Sequence, residues 1–453
     1  MIIVSPIDYR YGREEVKKIF SEEQRTRYML QVESAASQAE AEFGLIPKEA
    51  FLDISGAVGG GKVKLERIRE IENETKHDMM ALTRALAETL TIGAPYVHFG
   101  LTSNDINDTA TALQLRDFIP ILLDDLLNLQ HSMENLVRKY ASTPMIGRTH
   151  GQHASPITFG LKMAVYLAEV NRHIQRTSEA RKRVVAGKIM GPVGTGASLG
   201  EAALEIQERV MEILNLTPER ASSQIVNRDR YVEYLSILAG ISTSLEKFAT
   251  EIRNLQRPEI DEVSEYFDQE KQVGSSSMPS KVNPVNSENV CSIARIVRTF
   301  LTPEMEAAVT WHERDLTNSA LERFSIPYSS ILSDYILVKM TDIFTNLRVN
   351  ADRMRENLLD DDFVMSEKIV TELTLAGHER LASHELVRKA AMLAYSEKFS
   401  LKEGLIRSGI LDIFDRSKLD EVMKPENFTG RAPQICEIIL DESARVRTEA
   451  FRF

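Results

Sequence analysis

Residues 274–284 read GSSSMPSKVNP. The run offers hydroxyls from Ser275 and Ser276, a cation from Lys281 and an amide from Asn283. Pro284 and the NSEN that follows it mark a helix start at Asn286 or Ser287. Free backbone N–H groups at a helix start attract anions. A linker would be equally polar, and residue types alone leave both readings open. GRTHGQH, residues 147–153, holds His150. An imidazole titrates near neutral pH and serves as a general acid or base, whereas a structural histidine would cap the long helix that follows.

Three further stretches carry charge. KHD brings together Lys76, His77 and Asp78, or simply begins a solvated helix. In LTSNDINDTA, Thr102 and Ser103 precede Asp105 and Asp108, and capping by Ser103 accounts for the pattern without chemistry. WHERDLTNSALER spaces Arg314, Ser319 and Arg323 so that they can clamp a phosphate, arginine giving paired donors. The competing reading is an ordinary salt-bridged helix.

Other near-motifs fail. GAVGGGKV, residues 56–63, ends in Val63 where a phosphate-binding loop needs a hydroxyl, and reads as a glycine-rich surface turn. His378 and His384 are six apart and do not share a helical face, and His150 with His153 lack an evident third ligand. No metal site is expected.

Long helices must position these groups. Leu122, Leu126, Leu129, Met133 and Leu136 recur at spacings of three and four. So do Phe159, Met163, Tyr166 and Val170, and then Tyr234, Leu238, Ile241, Leu245, Phe248 and Ile252. Segments near 287–301 and 328–349 are also amphipathic. Five helices of about 20 residues or more are expected in a central bundle over 106–350. Shorter helices make an N-terminal domain, 1–105, and a C-terminal domain, 351–453. The fold class is all-α, and stripes this long favour self-association.

Composition bounds the role. A net charge of -12 argues against a nucleic-acid coat or an anionic membrane surface, while leaving room for a local cationic pocket. No apolar run approaches the roughly 20 residues of a membrane span. Two cysteines make no disulfide framework, and a reducing cytoplasmic location is expected.

Taken together, GSSSMPSKVNP, THGQHASPITFG, LTSNDINDTA and WHERDLTNSALER resemble the superfamily of fumarase, aspartase and argininosuccinate lyase. The first matches every defined position of the signature G-S-S-x-x-P-x-K-x-N. The resemblance also takes in DYRYG, KHD and SSQIVNRDR, from residue 8 to about 323, and is greatest to members acting on succinylated purine nucleotides. It implies a β-elimination that releases fumarate and needs no cofactor. Ser275 is then the general base and His150 the acid that protonates the leaving amine. Ser276, Lys281, Asn283, Thr102, Ser103 and Gln224 hold the succinyl part, and Asn289 is a further binding position. Arg10, Tyr11, Arg314, Ser319 and Arg323 bind the nucleotide and its phosphate. Many relatives read RHD where this chain has KHD, which keeps the cation and loses the planar fork. The resemblance further implies a homotetramer whose active sites are shared between subunits. Members acting on argininosuccinate usually read QKKNPD at the signature, and inactive crystallin-like members lose the loop serine or the histidine, so both are lesser alternatives.

Overall fold

The computed structural model describes residues 4–268, 277–278 and 280–451. Ser275 and Ser276 lie outside the described residues. The architecture is all-α, as expected. The five periodic segments are the helices Ser103–Tyr140, Phe159–Val184, Asp229–Leu255, Val285–Thr299 and Ser319–Thr345. The first runs for 38 residues, about 57 Å. Every apolar position named above from the three clear repeats is buried in one core. Each such side chain contributes about 1.5–3 kcal/mol through removal from water.

Two boundaries differ from expectation. The Val285 helix has only 15 residues and gives way to a separate helix, Leu301–Ala307. Pro303 has no N–H to offer the Thr299 carbonyl and its ring crowds it, which favours a break at this point. The last bundle helix begins at Ser319 rather than near 328, and Pro327 inside it masks its first turns. A third difference concerns the glycine run. The helix Lys48–Gly59 includes Gly56 to Gly59, and the surface turn starts only at Gly60 and Gly61, where Gly61 has φ +61°.

Helices Glu22–Glu42, Lys48–Gly59, Leu65–Thr75 and Asp78–Ala87 share a second core with Ala203–Leu214 and with Ile106, Ala110 and Leu113 of the Ser103 helix. Helices between Ser366 and Val422 form a third. The final helix, Ala432–Glu449, turns back onto the Phe159 helix, where Ser443 bonds the buried Asn171. Strand pairing is confined to three two-stranded pairs among the described residues. One of them, the hairpin Pro144–Thr149 and Gln152–Thr158, falls where the sequence had suggested only a helix approach.

Glu40 is buried in the second core, and its Oε1 has no hydrogen-bond partner among the described residues. Burial, with Glu33 nearby, pushes its carboxyl up to about 8. A raised carboxyl favours the protonated folded state, so its stabilising effect is complete below about 4.5 and is lost as pH rises through 8. Glu40→Gln is expected to gain in Tm relative to wild type as pH rises from 5 to 8. A difference that stays constant across that range would show that Glu40 is not held protonated.

Candidate active site

The site is built from the head of the Ser103 helix. Thr102, not Ser103, is its N-cap, and the Asp105 carboxylate accepts from Thr102 N–H at 2.8 Å, completing a capping box. Ser103 is the first helical residue. The same carboxylate accepts from the N–H groups of Met190 (3.0 Å) and Gly191 (3.1 Å) and from Lys188 Nζ. Asp105 and Lys188 are both wholly buried. Four donors on one carboxylate offset its removal from water.

About one turn further, Asp108 meets Arg228. Nη1 and Nη2 of Arg228 reach the two Asp108 oxygens at 2.7 and 2.9 Å. Its Nε and Nη2 donate to Glu322 at 2.8 and 3.1 Å. The guanidinium is 2% exposed, and although burial works against the charge, Asp108 and Glu322 hold its pKa well above the usual arginine value. One planar fork thus ties together the TSNDIND, SSQIVNRDR and SALER segments.

On this frame three of the expected nucleotide binders, Arg314, Ser319 and Arg323, come together, whereas Arg10 and Tyr11 do not join them. Arg314 Nη1 donates to Gln224 Oε1 at 3.0 Å, and Gln224 N–H donates to the Glu313 carbonyl at 3.3 Å. Arg314 Nε is buried with no partner among the described residues, and burial pulls this guanidinium below its ordinary pKa. Ser319 is the first residue of its helix. Arg323 Nη2 reaches Asp78 Oδ2 at 3.0 Å, which brings KHD to the same place. KHD does begin a helix: Lys76 ends one at φ +57°, and His77 caps the next by accepting from Met80 N–H at 3.3 Å. Cations above a helix N-terminus suit a phosphate.

A second group lies elsewhere. The Tyr11 ring stands edge-on to Tyr335, with centroids 5.5 Å apart, and Arg10 lies over Tyr11. Lys339 lies over Tyr335 and donates to Asn286 Oδ1 at 3.0 Å. DYRYG therefore adjoins the helix that follows the signature run. That helix starts at Val285 after Pro284, but its cap is not the Asn286 or Ser287 side chain. The buried Glu265 carboxylate accepts from the N–H groups of Asn286 (3.2 Å) and Ser287 (2.6 Å). The anion expected at this helix start is thus the chain's own. Lys281 is exposed, Asn283 partly so, and Asn289 Oδ1 is buried without a partner among the described residues.

His150 forms a third group. With Gly151 it makes the two-residue turn of the hairpin, at φ +55° and +74°, the signature of a type I′ turn. Its side chain is exposed. It does not cap the helix that follows, because Thr158 does so by accepting from Leu161 N–H at 3.1 Å. His153 is taken up by Asp361, with Nδ1 2.6 Å from Oδ2.

Lys188, Arg228, Glu322 and Glu265 were not singled out from the sequence. Arg228 stands inside a motif stretch, beside the equally charged Asp229 and Arg230, so no local cue sets it apart. Lys188 and Glu265 act through segments far away in sequence and leave no local pattern.

Comparison with known proteins defines the class first. A family model described as Lyase matches residues 9–299. Solved structures with the same fold include a fumarate lyase from Mesorhizobium sp. BNC1, 29% identical, with a TM-score of 0.87 over 95% of this chain and 98% of that one. Another is a 3-carboxy-cis,cis-muconate lactonizing enzyme from Pseudomonas putida, 30% identical, with a TM-score of 0.88 over 97% and 99%. The model described as Adenylosuccinate lyase C-terminus matches residues 362–439. Adenylosuccinate lyase from Methanothermobacter thermautotrophicus is 44% identical over 98% of this chain and 99% of its own. That from Methanocaldococcus jannaschii is 43% identical over 96% and 95%. The chain belongs to the adenylosuccinate lyase family.

Arg228→Leu is expected to leave Asp108 and Glu322 as unmatched buried charges and to cost about 3–5 kcal/mol in denaturant unfolding. Arg228→Lys should fall between, since one ammonium cannot fork to two carboxylates. A loss below about 1 kcal/mol for Arg228→Leu would mean the pair is not organised by this residue.

Proposed function

We propose that this chain removes fumarate from adenylosuccinate, giving AMP, and from the succinylated aminoimidazole carboxamide ribotide of purine synthesis. The observation that carries the reading is the convergence of Asp78, Gln224, Arg314, Ser319 and Arg323, from three separate segments, around the Asp108–Arg228–Glu322 clamp. Family membership over nearly the whole chain supports it.

In the reaction, Ser275 takes the proton from the carbon beside a carboxylate, and charge builds on that carboxylate. The carbon–nitrogen bond breaks, a double bond forms, and His150 gives a proton to the departing amine. Lys281 and loop amides stabilise the serine alkoxide, without which serine is a poor base. Ser276, Lys281, Asn283, Thr102, Ser103 and Gln224 hold the succinyl carboxylates. Arg314, Ser319 and Arg323 take the phosphate.

The complete site belongs to an assembly, a homotetramer in this reading. Arg314 and Arg323 stand at the head of the Ser319 helix. The strand after its far end, Arg348–Val349, pairs with Val263–Ser264, next to Glu262, which holds Arg148 of the His150 hairpin. The two groups lie toward opposite ends of a helix about 40 Å long. A succinyl nucleotide cannot reach both in one chain, so a second chain must supply the missing half.

The test is a fumarate-release assay with both succinyl purine nucleotides and with argininosuccinate. Turnover of the purine substrates alone is expected. Turnover of argininosuccinate alone, or of nothing, would replace this reading by one of its alternatives. His150→Ala and Ser275→Ala should each lower kcat by at least about 10²-fold. When the two inactive proteins are mixed and shown to exchange subunits, activity should partly return. Proven exchange with no recovery would place both residues in one chain.

A further inference from the structure

The His150 hairpin is gripped on both strands, largely by residues beyond 350. On the first strand, Arg148 forks onto the wholly buried Glu262 at 2.8 and 2.9 Å, and Asn357 Nδ2 donates to the same carboxylate at 3.0 Å. On the second, His153 Nδ1 donates to Asp361 Oδ2 at 2.6 Å, and the Ser155 hydroxyl donates to Glu367 Oε2. Ile146 packs with Leu358, Val364 and Met365 beneath. His153 stands opposite Arg148 in the register, and the next pair outward, Thr149 with Gln152, flanks the turn itself.

The turn needs this support. A non-glycine residue at φ +55° sits in a sparsely populated region and stays there only when its surroundings over-determine it. The hairpin has just two strands, which is marginal on its own. Gly147 marks a register shift where a Cβ would fall 2.4 Å from the Ser155 carbonyl, so the strands are locally irregular as well. Among the described residues the exposed His150 ring has no hydrogen-bond partner, so its direction follows from how the strands are held.

We propose that Asp361 and Glu367 are positioning residues for proton transfer. Through His153 and Ser155 they fix the second strand, and with it the angle at which His150 meets the departing amine. Asp361 and Glu367 touch no reacting atom in this scheme. The C-terminal helices thereby act on turnover as well as on the fold. The proposal rests on the reading of His150 as the proton donor.

Steady-state kinetics on adenylosuccinate, with Tm recorded for each full-length variant, tests it. Asp361→Ala combined with Glu367→Ala should lower kcat by about 10- to 100-fold, the scale of a small misplacement at a reacting centre, with KM within about threefold and a Tm loss no larger than removal of the cap that Asp361 Oδ1 gives Phe363 N–H would cause. Asp361→Asn combined with Glu367→Gln should recover most of the loss, because an amide oxygen still accepts from the His153 N–H and the Ser155 O–H. A kcat within about twofold of wild type for the alanine pair would overturn the proposal. So would parallel losses of kcat and Tm with no recovery by the amide pair. Should the alanine pair fail to fold, Ser155→Ala carries the same expectation in smaller measure, and wild-type kcat there overturns it. His150→Ala is measured alongside. If that variant keeps its activity, the proton-donor reading itself fails. If it is inactive while the alanine pair is not, only the positioning role fails.

Discussion

One guanidinium organises the end of this molecule where Arg314, Gln224, Arg323 and Asp78 gather. Arg228 spends both edges of its fork on Asp108 and Glu322, almost out of reach of water. An isolated charge in that place would be prohibitively costly, so the three groups are stable only together. Their segments, distant in sequence, must therefore come to one point before any of them can be buried. Asp105 repeats the logic beside it, drawing Lys188 and two backbone N–H groups onto the first turn of the longest helix. With those interactions in place, Arg314 donates to Gln224 and Arg323 to Asp78 at the rim of this frame.

The same long helices that give the bundle its core divide the chemistry. A helix of 27 residues keeps its two ends about 40 Å apart whatever packs against it. Phosphate-binding candidates gather at one end. Toward the other lie the hairpin with His150 and, through Lys339 and Asn286, the start of the Val285 helix, while the DYRYG segment lies along the middle, against Tyr335. A rigid rod thus makes association a condition of function in the proposed reading. Catalysis then depends on how firmly each end is held before the chains meet. At the hairpin end the hold comes from Glu262, Asp361 and Glu367.

The bundle was legible because its apolar period is strong: Tyr234, Leu238, Ile241, Leu245, Phe248 and Ile252 are all buried as their spacing requires. The ends of helices were less so. Pro303 and Pro327 look alike in sequence, yet one marks a helix break and the other lies inside a continuous helix. Local spacing cannot tell them apart, since neighbouring helices decide. The hairpin was hidden because its register is set partly by acids more than 200 residues away, Asp361 and Glu367, and because His150–Gly151 is an uncommon pair for its turn. The motif residues could be named from the sequence, whereas the buried charges that hold them could not. Glu265 shows the limit best. The start of the Val285 helix was legible as an anion site, and the anion is a side chain of the same protein.

The most direct measurement is a structure of the assembled Ser275→Ala protein with adenylosuccinate bound. The phosphate is expected within hydrogen-bond distance of Arg314, Ser319 and Arg323 of one chain. The His150 imidazole beside the bridging nitrogen should come from a different chain. A phosphate held away from those three residues, or a His150 that reaches the substrate from the same chain as Arg323, would contradict the division of the site between chains.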